Sequence, residues 1–229
     1  MSKDTDSVLE TREAERGRVL DCILPHVMFD GWSRKTLRHG AEDAGISVAE
    51  LERLFPAGVT DCIGHFLDRA DRDMVQAFQS RNPSAMKIRE RIGTAVRIRL
   101  EQAAPHKEAV RRTLAYLAIP GHGGLGTRSL YKTVDAIWKA AGDTATDYNF
   151  YTKRGLLAAV YSATVLFWLN DTSEDYAETW AFLDRRIQNV MQIPKLTGRL
   201  KDAGEKLKNP FEALKACAPK RRSPFAGAR

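Results

Sequence analysis

The residue types that carry metal or acid–base chemistry are spread thinly through this chain of 229 residues. Its histidines lie far apart: His26, His39, His65, His106 and His122. None of them belongs to an HxxxH, HExxH or ExxH pair, the spacings that place two metal ligands on one helix face. The three cysteines, Cys22, Cys62 and Cys217, include no CxxC pair, so free thiols are expected rather than disulfides or a zinc site. We therefore predict no catalytic group, no metal and no cofactor.

One short motif formally matches a nucleotide site, and two serines are considered as nucleophiles. The segment Gly121–Gly126 has the GxGxxG pattern of a dinucleotide-binding turn. Such a turn must follow a β-strand, so that the pyrophosphate meets the start of the next helix. The preceding run, Leu114–Ile119, is predicted to be helical, so we predict a flexible loop between helices and reject a nucleotide site. Ser129 and Ser162 both lack the G-x-S-x-G elbow of a hydrolase.

The net charge is concentrated at the carboxyl end. Residues 194–229 contain 10 Lys and Arg against 3 Asp and Glu, a difference of +7 that equals the net charge of the whole chain. Apolar residues recur there at steps of three or four: Ile193, Leu196, Leu200, Ala203 and Leu207. This spacing predicts an amphipathic helix over 194–208, followed by a disordered basic tail over 209–229. Such a helix suits an anionic membrane surface, and it equally suits docking on the protein's own core.

The composition, with 43% hydrophobic and 28% charged residues, is typical of a globular protein. The longest apolar stretch, 155–169, is 15 residues long, whereas a transmembrane helix needs about 20. The polar start of the chain, Met1–Glu15, resembles neither a secretory signal nor an Arg-rich transit peptide. These features predict a bacterial cytoplasmic protein.

Nearly every segment has helical periodicity, and none alternates apolar and polar residues as a half-buried strand does. The predicted fold is therefore all-α, after a flexible N-terminus over 1–10. Ser33 and the capping-box spacing Ser47–Glu50 mark the starts of the second and third helices. The predicted helices cover 11–29, 33–44, 47–55, 61–80, 83–104, 107–119, 128–141, 151–169 and 174–192.

The first three helices have the layout of a helix-turn-helix domain, over 11–66. The third helix carries Glu50 and Glu52 against Arg53 alone. From Arg12 to Phe66 there are 7 basic and 9 acidic residues. Because affinity for DNA depends on Lys and Arg that neutralise phosphates, DNA is not expected as a partner and the domain is interpreted as a vestigial scaffold.

The helix over 151–169 is apolar on nearly all sides and is predicted to be buried. Within a helical domain over 67–193 it can line a ligand cavity or fill the core, and its periodicity does not separate the two. Asp171–Asp175 is predicted to cap the next helix. Trp180 on that helix can pack in the core or anchor a partner.

Several segments together resemble the Coq-nine family, TetR-fold proteins of ubiquinone biosynthesis. They are Thr146–Arg154, Asp171–Arg186, Gly31–Trp32, Asp135–Trp138 and Ala141–Asp143. The resemblance extends from about Ile23 to the tail helix. It implies a TetR-like fold that has lost DNA binding and that binds isoprenoid quinone precursors or phospholipids in its helical domain. It also implies membrane contact through the tail, a di-iron demethoxyubiquinone hydroxylase as partner and, by analogy with TetR-like proteins, a homodimer.

The expected site residues form three groups. Those of the lipid pocket are Val96, Leu100, Leu114, Leu117, Val134, Ile137, Leu157, Tyr161 and Val165. Those of the partner surface are Trp180, Asp171, Tyr176 and Arg186, and those that contact the membrane are Leu196, Leu200, Leu207 and Phe211. The chain lacks the mitochondrial targeting segment of eukaryotic family members, so we expect a bacterial protein that is peripheral to the inner membrane.

The sequence therefore predicts a non-catalytic lipid-binding protein that presents quinone intermediates to a hydroxylase. Two alternatives remain. One is a TetR-type regulator with a lipid effector, in which Arg34, Lys35 and Arg38 would contact the DNA backbone. The other is an enzyme of isoprenoid or quinone metabolism.

Overall fold

The computed structural model describes residues 2–143 and 148–190, with side chains for 10–143 and 151–190. Every regular element in this part of the chain is helical, which confirms the all-α fold. The α-helices are α1 Ser2–Asp30, α2 Arg34–Asp43, α3 Val48–Leu54, α4 Val59–Gln79, α5 Ile88–Ala103, α6 Lys107–Leu117, α7 Gly123–Ala140, α8 Tyr148–Asn170 and α9 177–190. The predicted tail helix over 194–208 and basic tail over 209–229, with Leu196, Leu200, Leu207 and Phe211, lie outside the described residues. The chain divides into one compact unit, Met1–Ile187, and a second, Gln188–Arg229.

Local hydrogen bonds start α2 and α3 where the sequence predicts. The hydroxyl of Ser33 accepts a bond from the backbone N–H of Thr36 at 3.1 Å. The hydroxyl of Ser47 accepts one from the N–H of Glu50 at 3.2 Å, and the Glu50 carboxylate accepts one from the N–H of Ser47 at 2.9 Å. The bonds that the N–H and the hydroxyl of Ser47 donate to this carboxylate lower the pKa of Glu50. The carboxylate is therefore occupied with capping its own helix.

The first four helices share one apolar core. Its fully buried members include Val19, Leu20, Ile23, Leu24, Leu54 and Phe55. Gly40 of α2 meets the backbone of Ile23 in α1 so closely that no side chain fits between them. The indole N–H of Trp32 donates to the Thr113 hydroxyl at 2.9 Å and joins this core to α6. The expected domain border after Phe66 falls inside α4, so the two predicted domains share one continuous helix.

The glycine-rich segment is helical, so the flexible loop predicted there is wrong for 123–126. The first turn of α7 begins at Gly123. A Cβ atom on Gly126 would lie 3.5 Å from the Leu117 side chain of α6, an ordinary contact distance, so α7 packs against α6 at this point. This packing outweighs the poor helix propensity of glycine. The element before the motif is helix α6, not the strand that a dinucleotide site requires.

Other helices also begin at different residues from those predicted: α4 at Val59 instead of 61, α5 at Ile88 instead of 83 and α8 at Tyr148 instead of 151. α1 starts at Ser2 instead of Thr11, because neither glycine nor proline interrupts the sequence before Gly17. α9 starts at 177 instead of 174, because Asp175 and Tyr176 have φ angles of 50° and 57°, in the left-handed region.

His65 of α4 gives stability a predicted dependence on pH. Its ring is 4% exposed, Nδ1 lies 3.2 Å from Glu13 Oε1, and Nε2 has no hydrogen-bond partner. Burial lowers the pKa of His65 to about 4, against the pull of Glu13. The unfolded chain, with a pKa near 6.5, therefore binds the proton first as pH falls. We expect about 2–3 kcal/mol of stability to be lost between pH 6.5 and pH 4 through this residue.

Urea unfolding at pH 7 and pH 4.5 measures this effect. His65→Gln should be less stable than the wild type at pH 7 but should lose less stability on acidification. Equal losses in the two proteins would show that another group is responsible.

Candidate functional site

A cavity of about 370 Å³ lies among α4, α5, α6, α7 and α8. The large apolar side chains that line it include Leu100, Leu114, Leu117, Leu130, Val165 and Leu166. Leu166 is 57% exposed and marks the mouth. The most buried lining residues of the cavity are Leu100, Arg99, Thr113 and Thr133, each 4% exposed or less, and we call this part the inner end. The volume is within the range of small-molecule sites, roughly 300–1,000 Å³.

The nine residues expected in the lipid pocket fall into two groups. Five line the cavity: Leu100, Leu114, Leu117, Tyr161 and Val165. The other four are buried in the core of the same helices without lining it: Val96, Val134, Ile137 and Leu157. The apolar helix α8 thus both lines a cavity and fills the core, because one face borders the cavity and another packs against its neighbours.

A buried ion pair lies beside the inner end. Arg99 of α5 donates from Nε to Asp71 Oδ1 of α4 at 3.0 Å. The Thr133 hydroxyl of α7 lies 2.9 Å from Asp71 Oδ2. Arg99, Thr133 and Tyr161 of α8 all line the cavity. We call the guanidinium of Arg99 and the hydroxyl of Tyr161 the polar floor.

Burial and charge act in opposite directions on this group. Burial raises the pKa of Asp71, while Arg99 and the hydrogen bond from Thr133 favour its ionised form. Burial disfavours the charge on Arg99, but neighbouring Tyr161 and Asp71 outweigh it and raise the pKa of the guanidinium. Burial also raises the pKa of Tyr161, so its hydroxyl keeps its proton at neutral pH. The polar floor therefore presents the N–H donors of Arg99 and the O–H donor of Tyr161, and the Asp71 carboxylate neutralises the charge of Arg99.

The helix-turn-helix part contains a larger recess, of about 640 Å³, between α2, α3 and the start of α4. Charged side chains line it on two helices, namely Arg34 and Arg38 on α2 and Glu52 on α3. The exposed side chains of α3 include Glu50, Glu52 and only one basic residue, Arg53. The exposed surface of α3 therefore has few cations that could neutralise DNA phosphates.

An aromatic and cationic cluster surrounds Trp180 at the start of α9. The guanidinium of Arg97 lies 4.9 Å from the centre of the Trp180 ring, and Tyr176 meets it edge to face at 6.4 Å. The indole N–H donates to the Asp175 carbonyl at 2.7 Å. Lys107 Nζ lies 4.6 Å from the centre of the Tyr176 ring. Trp180 is partly buried, so one part of the ring packs and another faces solvent.

Asp171 lies beneath this cluster and does not face outward. It is 6% exposed, and its carboxylate accepts bonds from the N–H and hydroxyl groups of both Ser173 and Thr179. Burial alone would raise the pKa of Asp171, but these bonds outweigh it and hold the pKa at about 2. The predicted cap of the following helix is confirmed. Asp171 can influence a partner only by holding the turn in place.

Arg186 is not brought into the Trp180 cluster. Its guanidinium lies 4.9 Å from the centre of the Phe182 ring, which stacks on Phe167 at 4.6 Å. Six residues of α-helix separate Trp180 from Arg186, which is 240° of rotation at 100° per residue. The two side chains therefore point in different directions.

The sequence reasoning missed a second buried ion network, between α7 and α8. Arg154 is 4% exposed and donates to Asp135 at 2.8 Å and to Asp143 at 3.3 Å. Lys153 bonds Asp143 at 2.8 Å, and its backbone carbonyl accepts from the Trp138 indole at 3.2 Å. These residues belong to the segments that carry the family resemblance, and here they hold the two helices together.

Two further findings concern the described residues. No three His, Cys, Asp or Glu side chains within them come together as a metal site would require. No helix in the same part of the chain is both long and apolar enough to cross a membrane.

The fold is similar to that of TetR regulators. A TetR transcriptional regulator from Nitrosomonas europaea matches it with a TM-score of 0.64 over 77% of this chain and 97% of that one. The two are 21% identical in sequence, so the match concerns the fold alone. The predicted TetR-like architecture is thereby confirmed.

The sequence comparisons then identify the family. Residues 124–194 match the COQ9 family model. The mitochondrial ubiquinone biosynthesis protein COQ9 of Rattus norvegicus is 31% identical over 216 residues, which cover 90% of this chain and 68% of the rat protein. The human COQ9 protein is 29% identical, and the match covers 86% of this chain and 64% of the human one. The chain belongs to the COQ9 family, and it spans about two thirds of the length of these relatives.

Proposed function

We propose that this protein is a non-catalytic lipid-binding protein of ubiquinone biosynthesis. It binds isoprenoid quinone intermediates in the cavity among α4–α8 and presents them to a hydroxylase. The observation that carries the proposal is the cavity itself, with leucine and valine walls from several helices, in a member of the COQ9 family. The names of the relatives support the pathway, and the wall supports an apolar ligand.

The energetics favour an isoprenoid ligand. Removing one methylene from water contributes about 0.8 kcal/mol, so complete burial of a five-carbon isoprene unit contributes about 3–4 kcal/mol. Two buried units contribute about 6–8 kcal/mol, which exceeds the lowest estimates of the association cost, about 4 kcal/mol. The surplus of about 2–4 kcal/mol corresponds to binding no tighter than about millimolar, so further buried units or headgroup contacts must supply the rest. The mouth beside Leu166 would let the rest of a long chain extend outward.

Native mass spectrometry of the protein, purified without detergent, tests this proposal. We expect co-purified isoprenoid quinone lipid in the wild type and its loss in Ala103→Phe, which fills the cavity from α5. Ser162→Phe, at a less buried lining position, is a second blocking variant should Ala103→Phe fold poorly. Ala115→Phe, at an exposed position of α6 that does not line the cavity, is the matched control and should keep the lipid. Equal lipid content in blocked and control variants would contradict the proposal.

Membrane contact is assigned to the basic amphipathic segment 194–208. Complete burial of each of Leu196, Leu200 and Leu207 would contribute about 1.5–3 kcal/mol, and each nearby lysine up to about 1 kcal/mol on anionic lipid. Phe211 would add a further apolar contact. Flotation with phosphatidylglycerol-containing liposomes should fall sharply for a chain that ends at Ile193. Undiminished flotation would refute this anchor.

The Trp180 cluster is the proposed contact surface for the hydroxylase, a di-iron enzyme that acts on demethoxyubiquinone. Aromatic and arginine side chains dominate the binding energy of many interfaces, and Trp180 lies between Tyr176 and Arg97. Trp180→Ala should weaken binding to the hydroxylase about tenfold or more in biolayer interferometry. Tyr151→Ala, at a 70% exposed site on α8, is the control. If Trp180→Ala and the wild type bind the hydroxylase with equal affinity, the interface lies elsewhere.

The proposed homodimer is tested separately, by measuring the molar mass of the protein in solution by light scattering.

A further inference from the structure

The polar floor contains donors that the fold itself does not use. Arg99 is 4% exposed, and the bond from Nε to Asp71 is the only hydrogen bond that its guanidinium makes to the described residues. Arg99 lines the cavity, and its two Nη groups have no hydrogen-bond partner among the described residues. The hydroxyl of Tyr161 likewise has no hydrogen-bond partner among those residues, although Tyr161 lines the same cavity. These donors are therefore available to an acceptor in the cavity, and each such hydrogen bond would contribute to binding.

The charges at this site favour a neutral lipid headgroup over an anionic one. Arg99 is the only charged residue among those that line the cavity in the described part of the chain. The carboxylate of Asp71, 3.0 Å from Nε, already compensates its charge. A phosphate placed against Arg99 would add a second buried anion close to Asp71 and leave the site with a net negative charge. A neutral ring oxygen needs only the free N–H and O–H donors, so it meets no such penalty.

We propose that Arg99 and Tyr161 bind the ring oxygens of an uncharged quinone or phenol headgroup, inserted ring-first with its isoprenoid chain toward Leu166. This inference rests on the proposed function, because it takes the ligand to be an isoprenoid lipid. It adds the orientation of the ligand and the residues that distinguish a quinone from a phospholipid. It also follows that the ring is shielded in this state, so the ligand must leave the cavity before an enzyme acts on the ring.

Titration calorimetry with three probes that share a geranyl chain tests the inference. The first carries a fully substituted dimethoxy-methyl-benzoquinone, which has no free ring position for a cysteine to attack. The second is geranylpentamethylbenzene, which has no ring oxygens. The third is geranyl phosphate, which has an anionic headgroup. We expect the quinone to bind most tightly and the phosphate most weakly.

Tyr161→Phe is the decisive variant, because it removes only a hydroxyl that bonds no described residue. It should weaken binding of the quinone about two- to tenfold, the value of one hydrogen bond, and leave the arene unchanged. Tyr116→Phe is the matched control, since the Tyr116 hydroxyl lies 3.4 Å from Thr60 and outside this cavity, and it should change neither.

The remaining outcomes separate the two proposals. If the quinone and the arene bind equally and Tyr161→Phe changes neither, lipid binding stands and the headgroup assignment is wrong. Tighter binding of geranyl phosphate than of the quinone would also overturn the assignment. If none of the three probes binds, both the assignment and the proposed function fail.

Discussion

Replacing Arg99 by methionine is expected to lower the free energy of unfolding by about 3–5 kcal/mol, the usual cost of leaving a buried charge without its partner. The side chains of Arg99 and Asp71 are 5% and 12% exposed, so water cannot replace the lost guanidinium at the Asp71 carboxylate. The Thr133 hydroxyl would remain as its hydrogen-bond partner. In a chain of this size the loss corresponds to a fall in Tm of roughly 10 °C, measurable by calorimetry and by urea unfolding.

The double variant Asp71→Asn/Arg99→Met separates the charge effect from the packing effect. It removes both charges, and the Asn amide oxygen can still accept the Thr133 hydrogen bond. We therefore expect the double variant to be more stable than Arg99→Met alone, although it carries one more substitution. A double variant that is less stable than the single one would show that the cost lies in packing and not in the unpaired carboxylate.

The sequence itself indicates that Arg99 is a buried charge. In α5 the buried positions Ile92, Ala95, Val96 and Ala103 follow a helical stripe, and Arg99 lies on that stripe between them. A charged residue on a buried stripe must be paired. Periodicity alone cannot name its partner, because Asp71 lies 28 residues earlier and on a different helix. Local pattern therefore locates the buried charge, and tertiary packing decides what neutralises it.

The features predicted well are those that depend on neighbouring residues. The caps at Ser33 and Ser47 require only side chains three residues away. The cap at Asp171 also depends on nearby residues, Ser173 and Thr179, although the left-handed residues Asp175 and Tyr176 delay the start of the helix beyond it. The helix at Gly123–Gly126 is not predicted, because glycine has poor helix propensity and the packing of α7 against Leu117 of α6 is a tertiary contact.

The sequence predicts the cavity only in part. An apolar face predicts burial equally well for a residue that packs in the core and for one that borders a void. Val134 and Leu130 illustrate this, because both are apolar residues of α7, and only Leu130 lines the cavity. Which face of a helix remains without a neighbour depends on how the surrounding helices diverge. No single-helix pattern contains that information.

The second large effect is expected at the crossing of α1 and α2, where Gly40→Ala should destabilise the protein by about 3 kcal/mol. A Cβ atom at this position would overlap Ile23 Cγ1 and lie 2.7 Å from Ile23 Cα and 2.9 Å from its backbone nitrogen. Backbone atoms cannot move aside as the end of a flexible side chain can. The two helices would have to separate, and the fully buried Ile23 would lose part of its packing.

Gly64→Ala is the matched control, because it makes the same change inside α4 with free space around it. The nearest atom to its new Cβ would be Leu125 Cδ1, at 4.0 Å. Since alanine favours the helix over glycine, this variant should gain about 0.5–1 kcal/mol of stability. Urea unfolding of both variants should therefore give effects of opposite sign. If Gly40→Ala were also stabilising, α1 and α2 could not be in the contact described, and the packing of the helix-turn-helix part would have to be revised.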